Sequence, residues 1–207
     1  MKAWIFALAL ATTLSGTAGA YSLLVPTQVW QVTPVGIELT SVRNENTIQD
    51  GDYGHNQVIA AIDDAVYGWN QVAPVVGTTN LAVNYTIGDG TPTISFNDPA
   101  GICVMGCLAV TVTSYYQIGP DAFLSDADIF VSRKTTLKFT SELEDPTTAT
   151  CNAEYYIEGI MVHEVGHAIG LNHSAVNGAT MAAFASPCDL TNDHLDADDI
   201  AGADFLY

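Results

Sequence analysis

His163-Glu164-Val165-Gly166-His167-Ala168-Ile169-Gly170-Leu171-Asn172-His173 is the stretch from which the rest of the chain can be read. His163 and His167 are four residues apart, so on a helix both imidazoles stand on one face and can point at one ion. Glu164 adjoins the first of them, offset by about a quarter turn, which makes it a neighbour of the metal's water rather than a ligand. Gly170 falls where a helix needs a residue tolerant of left-handed φ in order to stop and turn. After that turn His173 can swing back to the same ion. Three neutral imidazoles leave a tetrahedral Zn²⁺ one open position, the catalytic rather than the structural arrangement. The bland alternative is a buried helix that happens to carry histidines. Against it, three of the chain's five histidines fall within these eleven residues.

The chain has 207 residues, enough for one domain with a substantial core. Residues 1–20 read as a signal peptide. Lys2 supplies the positive start, Ala3 to Leu14 the apolar run, and Ala18-Gly19-Ala20 a small-residue cleavage site. The run is short for a membrane span, and no later stretch does better. Residues 21–207 are then the exported domain. Formal net charge is −18, from five basic and 23 acidic side chains, and loss of Lys2 makes it more negative still. Phosphate-rich partners would be repelled, so neither nucleic acid nor an anionic membrane is expected as a partner. Cys103, Cys107, Cys151 and Cys188 in an exported chain imply two disulfides. Three pairings can be drawn. Gly106 would let the small loop Cys103-Cys107 close, leaving Cys151 with Cys188 around the histidine stretch. A thiolate zinc site lacks the usual pair-of-pairs spacing.

Along the chain, Thr27 to Thr40 alternates as a first strand, with Pro34 implying an edge or a bulge. Ser41 to Gly54 reads as a loop. Val58, Ile62, Ala65, Val66 and Trp69 recur at helical spacing, predicting a long amphipathic helix over 55–72 that packs on a sheet. Strands are predicted for Leu81 to Ile87, Thr91 to Phe96, Leu108 to Tyr116 and Ala127 to Ser132. Thr140 to Thr150 is acidic and turn-rich. Tyr155 to Ala168 is the helix carrying the first two histidines, and Leu195 to Leu206 is a short closing helix. This order gives an α+β fold with a twisted mixed sheet of about five strands, a long helix, an active-site helix and a C-terminal helix.

Taken together, these motifs resemble the matrixins, the matrix-metalloprotease-like branch of the metzincin zinc proteases. The extended histidine motif runs into His173-Ser174, which is similar to the matrixin continuation. Ala127-Asp128-Ile129 resembles a family strand. Leu195-Asp196-Ala197-Asp198-Asp199-Ile200, with Gly202 and Leu206-Tyr207, looks like the family's C-terminal helix. The resemblance implies that Thr180-Met181 forms the methionine turn, an apolar floor beneath the ligands. It implies too that Gly106-Cys107-Leu108-Ala109-Val110 is the edge strand along which an extended peptide pairs.

The chain departs from the pattern in several places. No Pro-Arg-Cys-Gly motif is present, and Tyr21 to Pro26 leaves no room for a prodomain, so no cysteine-switch latency is expected. Met181-Ala182-Ala183-Phe184 lacks the common Met-x-Pro. His55 and His194 are too few for the second, structural zinc that matrixins often hold. Calcium is a further candidate cofactor, because carboxylates cluster at Asp50/Asp52, Asp121/Asp126/Asp128 and Asp189/Asp193. In so acidic a chain such clusters also arise as solvated faces.

The residues and the resemblance together point to a secreted, monomeric zinc endopeptidase. Its metal ligands would be His163, His167 and His173, and Glu164 would take the proton from the attacking water. The alternative is an inactive secreted zinc-binding or adhesion module of the same fold, against which the retained Glu164 argues.

Overall fold

The computed structural model describes residues 3–4, 21–31, 35–41, 55–78, 85–96, 98–104, 106–132, 139–140, 151 and 153–207. Its principal sheet has six strands. These are β1 (Gln28–Trp30), β2 (Val35–Ser41), β3 (Val75–Thr78), β4 (Thr93–Ser95), β5 (Ala109–Ile118) and β6 (Asp121–Val131). Three helices accompany them: α1 (His55–Asn70), α2 (Ile157–Ala168) and α3 (Ala197–Leu206). The sheet runs β3-β2-β4-β6-β5, and β1 pairs with the start of β6. All neighbours are parallel except β5, which folds back antiparallel on β6 through Gly119-Pro120. The sheet is therefore mixed, and among the described residues β5 is an edge.

The sixth strand arises because Thr27 to Thr40 is two strands rather than one. β1 pairs with β6, whereas β2 pairs with β3 and β4. Pro34, with no N–H to give a ladder, falls in the interval. The strand expected over Leu81 to Ile87 lies partly outside the described residues, and Tyr85–Ile87 carries no ladder. β3 takes a place in the sheet instead, a four-residue run right after Pro74 and too short to show a period. Most of the expected signal peptide lies outside the described residues. Ala3–Trp4 pairs antiparallel with Phe184–Ala185. Of the two loops, Ser41 and Thr140 belong to strands and the other residues lie outside the description.

β6 is buried on both faces over its second half. Ala127, Ile129 and Val131 enter the main core with the helices. Phe130 points the other way, into a small second core with Cys103, Cys107 and Val110. Cys103 and Cys107 are joined in a disulfide, so the segment covering that far face is closed by a covalent loop. Asp98 fastens it from inside, its carboxylate accepting from the Ile102 and Cys103 N–H groups at 3.0 Å each.

The helices pack on the opposite face. Val58, Ala61, Ile62, Ala65, Val66 and Trp69 of α1 are all buried, as their spacing predicts. On α2, ten of the twelve residues are buried, so the helix is enclosed rather than amphipathic. Trp69 Nε1 donates to the Val162 carbonyl at 2.6 Å, tying α1 to α2. At Gly166 there is no room for a side chain. A Cβ there would come within 2.3 Å of Met181 Sδ and 2.8 Å of Trp69 Cζ2.

Asp128 sits fully buried on the far face, accepting a short hydrogen bond from the Thr93 hydroxyl, with its Oδ2 unpartnered. Burial first, and then the charges of Asp126 and Asp89, push it up to about 7, against the lowering by Thr93. Because the folded-state value is raised, the stability this group contributes is complete below about pH 4 and is lost as pH rises through about 7. Asp128→Asn should therefore stabilise the fold at pH 8, with the advantage shrinking toward pH 4. Thermal unfolding of both proteins across that range checks it, and a pH-independent difference would contradict it.

The crowding at Gly166 gives a second test. Gly166→Ala should destabilise the protein by about 1–3 kcal/mol, the scale for overpacking a filled core. Trp69 is held by its hydrogen bond and cannot move aside cheaply. Denaturant unfolding measures the change, and an unaltered midpoint would mean that the contact relaxes freely.

Candidate metal centre

α2 brings His163 and His167 to one face, one turn apart. It stops soon after His167. Ile169 closes it, and Gly170 follows at φ +111°, where a Cβ would meet the Gln28 carbonyl at 2.4 Å. Only glycine fits that turn. The chain then pairs Leu171–Asn172 with Ser22–Leu23, and this ladder carries His173 back toward the helix. Trp30 Nε1 donates to the Ala168 carbonyl at 2.8 Å, satisfying a helix-end acceptor.

The three imidazoles converge. Their ring centres are 4.7 Å (163–167), 5.3 Å (163–173) and 4.9 Å (167–173) apart. His163 Nδ1 donates to the Thr180 carbonyl at 2.7 Å, and His167 Nδ1 donates to the Leu171 carbonyl at 2.9 Å. A carbonyl can only accept, so both rings carry their proton on Nδ1 and leave a lone pair on Nε2. Those two Nε2 atoms are 3.0 Å apart. His173 Nε2 is buried and has no partner. Burial first, then neighbouring imidazoles, lowers His163 to about 3 and takes His167 well below its ordinary value. Burial lowers His173 to about 4. All three are neutral at physiological pH, which is the ligating form.

This donor set fits zinc. Nitrogens about 2.0–2.1 Å from a tetrahedral zinc stand about 3.3 Å from each other, close to the 3.0 Å between Nε2 of His163 and of His167. Among the described residues, these histidines form the group of three or more metal-competent side chains whose ligand atoms lie within 4.8 Å of one another. The carboxylates considered for calcium do not gather in that way. Asp126 and Asp128 adjoin, while Asp121 lies at the other end of β6. Asp189 accepts from Thr191, Asp193 pairs with the exposed His194 at 2.5 Å, and Asp50/Asp52 lie outside the described residues.

Glu164 is fully buried. Its Oε2 accepts from the Thr111 hydroxyl at 2.6 Å, and its Oε1 has no partner among the described residues. Burial raises its pKa to about 8 against the lowering effect of Thr111. Without a metal beside it, this carboxyl therefore holds its proton more tightly than a free glutamate does.

Met181, buried against Gly166 of α2, follows Thr180, whose carbonyl orients His163. Its turn is held from α3. The buried Asp199 carboxylate accepts from the N–H groups of Thr180 (2.8 Å), Met181 (3.1 Å) and Asp196 (2.9 Å). Asp199 thus closes the capping box of α3 and braces the turn whose carbonyl orients His163. Ser174 adds a second tie, its hydroxyl donating to Asp198 at 2.6 Å. The Cys151–Cys188 disulfide and the Cys188 N–H to Glu154 carbonyl bond (2.8 Å) fasten the segment after the turn to the approach of α2.

Sequence reasoning missed two of these residues. Asp199 was readable from the spacing Asp196-x-x-Asp199, a capping-box pattern with an acid in the third position. Thr111 carried no signal of its own. It faces the helices because the register pairs it with Ile129.

A matrixin family profile matches residues 40–207. The chain is 25% identical over 195 residues to matrix metalloproteinase-18 of Xenopus laevis, an alignment spanning 91% of this chain and 35% of that protein. It is 26% identical over 163 residues to stromelysin-1 of Mus musculus, spanning 75% and 29% respectively. The chain thus spans about a third of the length of these curated relatives. Since the profile takes in most of the chain, including the three histidines, Glu164 and Met181, the chain belongs to the matrixin family, whose members are zinc-dependent metalloproteases.

Proposed function

We propose that this protein is a secreted zinc endopeptidase that cleaves peptide bonds in extracellular proteins, with Glu164 as its general base. The observation that carries this reading is the Glu164 carboxylate: enclosed, held through one oxygen, unpartnered at the other among the described residues, and next to a metal ligand. A centre that only held a metal would need the imidazoles and no such acid.

His163, His167 and His173 would hold the zinc through Nε2, the first two being oriented by Thr180 and Leu171. Zinc, when bound, supplies a Lewis acid that activates water and polarises a carbonyl. Glu164 Oε1 accepts the proton of the attacking water, and the same carboxyl returns it to the departing amine. β5, which carries Thr111 beside Glu164, offers its edge to an extended peptide by strand addition. Met181 keeps the floor of the site apolar and dry. Secretion is supported by the apolar leader, which we expect to be cleaved after Ala20, and by two disulfides. No helix among the described residues is long and apolar enough to cross a membrane. A monomer is expected.

Glu164→Gln separates the enzyme from an inactive zinc-binding module. It keeps the shape and leaves the three imidazoles in place while removing the base. Turnover of a casein or peptide substrate should fall by at least about 10²-fold, the scale for losing a general base, with zinc content unchanged. Parent-like turnover with zinc retained would remove Glu164 from the mechanism. Absence of turnover in the zinc-loaded parent would favour the module.

A further inference from the structure

We propose that Thr111 is the positioning residue for Glu164: its hydroxyl ties down Oε2 so that Oε1 is the oxygen presented to the reacting water. The assignment rests on reading Glu164 as the general base.

Thr111 lies on the edge strand β5, 3% exposed, opposite Ile129 and so directed toward the helices. A slip of one residue would put Val110 in its place. Its hydroxyl is 2.6 Å from Glu164 Oε2 and 3.1 Å from the Glu164 main-chain carbonyl. The hydroxyl has one proton to give, and the shorter contact directs it to the carboxylate. Glu164 Oε1 has no partner among the described residues, so Thr111 is the side chain that fixes this carboxylate. A long, flexible acid would otherwise sample several rotamers, and a base must be held within hydrogen-bond reach of its proton. Threonine is suited to the task because branching at Cβ restricts χ1. The contact also joins the strand that offers its edge to substrate to the helix that carries the base. Placement of the peptide and placement of the base are thereby set by neighbouring residues of one strand.

The test uses the zinc-loaded protein and a fluorogenic peptide, with kcat, KM and zinc content measured for Thr111→Val, Thr111→Ser, Glu164→Gln and the Val/Gln double variant. Thr111→Val keeps the shape and removes the hydroxyl, and should lower kcat about 10- to 100-fold, the usual scale for losing an outer-shell partner. KM and zinc content should stay near the parent values. Thr111→Ser should recover most of the rate, and the double variant should be no slower than Glu164→Gln alone. A Val variant at the parent rate, beside an inactive Gln variant, overturns the role of Thr111 and leaves the base reading intact. An active Gln variant overturns the base reading itself, and with it this inference. Should the Val variant fail to fold or lose zinc, the Ser variant decides: a parent-like rate supports the hydroxyl's role, and a rate as low as that of Glu164→Gln overturns it.

Discussion

The hydrogen bonds from His163 Nδ1 to the Thr180 carbonyl and from His167 Nδ1 to the Leu171 carbonyl govern the rest of the structure. Each fixes a tautomer, and together they leave two lone pairs facing one another at 3.0 Å. Two acceptors so close repel unless a cation lies between them. The fold imposes that arrangement from both sides of α2. Leu171 is set by the turn at Gly170, where the Gln28 carbonyl excludes any side chain. Thr180 is set by Asp199, reaching from α3 to hold two successive N–H groups. Neither carbonyl belongs to a free loop. A ligand oriented by a braced backbone loses little freedom when it binds its metal, the physical basis of preorganisation.

The remaining architecture supplies enclosure. α2 is buried nearly all round because α1, the sheet and the Met181 turn each cover part of it. Glu164 inherits that burial, which raises its pKa and makes its hydrogen bonding to Thr111 consequential. The two disulfides act at a distance from this chemistry. Cys103–Cys107 closes the cover over the far face of the sheet, behind the edge strand. Cys151–Cys188 ties the segment after the turn to the residues leading into α2. Both brace surroundings that a small domain would otherwise hold by weaker contacts.

Much of this was legible beforehand, for identifiable reasons. The spacing of His163, His167 and His173 specifies a helix, a stop and a return, and each is local. α1 announced itself through an amphipathic period, and Val58, Ile62, Ala65, Val66 and Trp69, which set that period, are buried. The sheet was harder. Thr27 to Thr40 looks continuous because alternation does not reveal which partner a strand takes, and its two halves take different ones. β3 is too short to show a period. Residues 155–156 read as the start of α2 but pair with Phe139–Thr140 as a short parallel ladder. In the site, Asp199 follows a capping pattern whose partner across space, the Thr180-Met181 backbone, no pattern names. Thr111 required the register of β5 on β6, a long-range property.

The central claim is that the chain holds three imidazoles ready for one zinc. Anomalous diffraction at the zinc edge from crystals of the zinc-loaded protein tests it most directly. One strong peak is expected within about 2.0–2.1 Å of Nε2 of His163, His167 and His173, with Thr180 and Leu171 still receiving the Nδ1 protons. A peak elsewhere, or zinc held through Nδ1 with those carbonyl bonds broken, would contradict it.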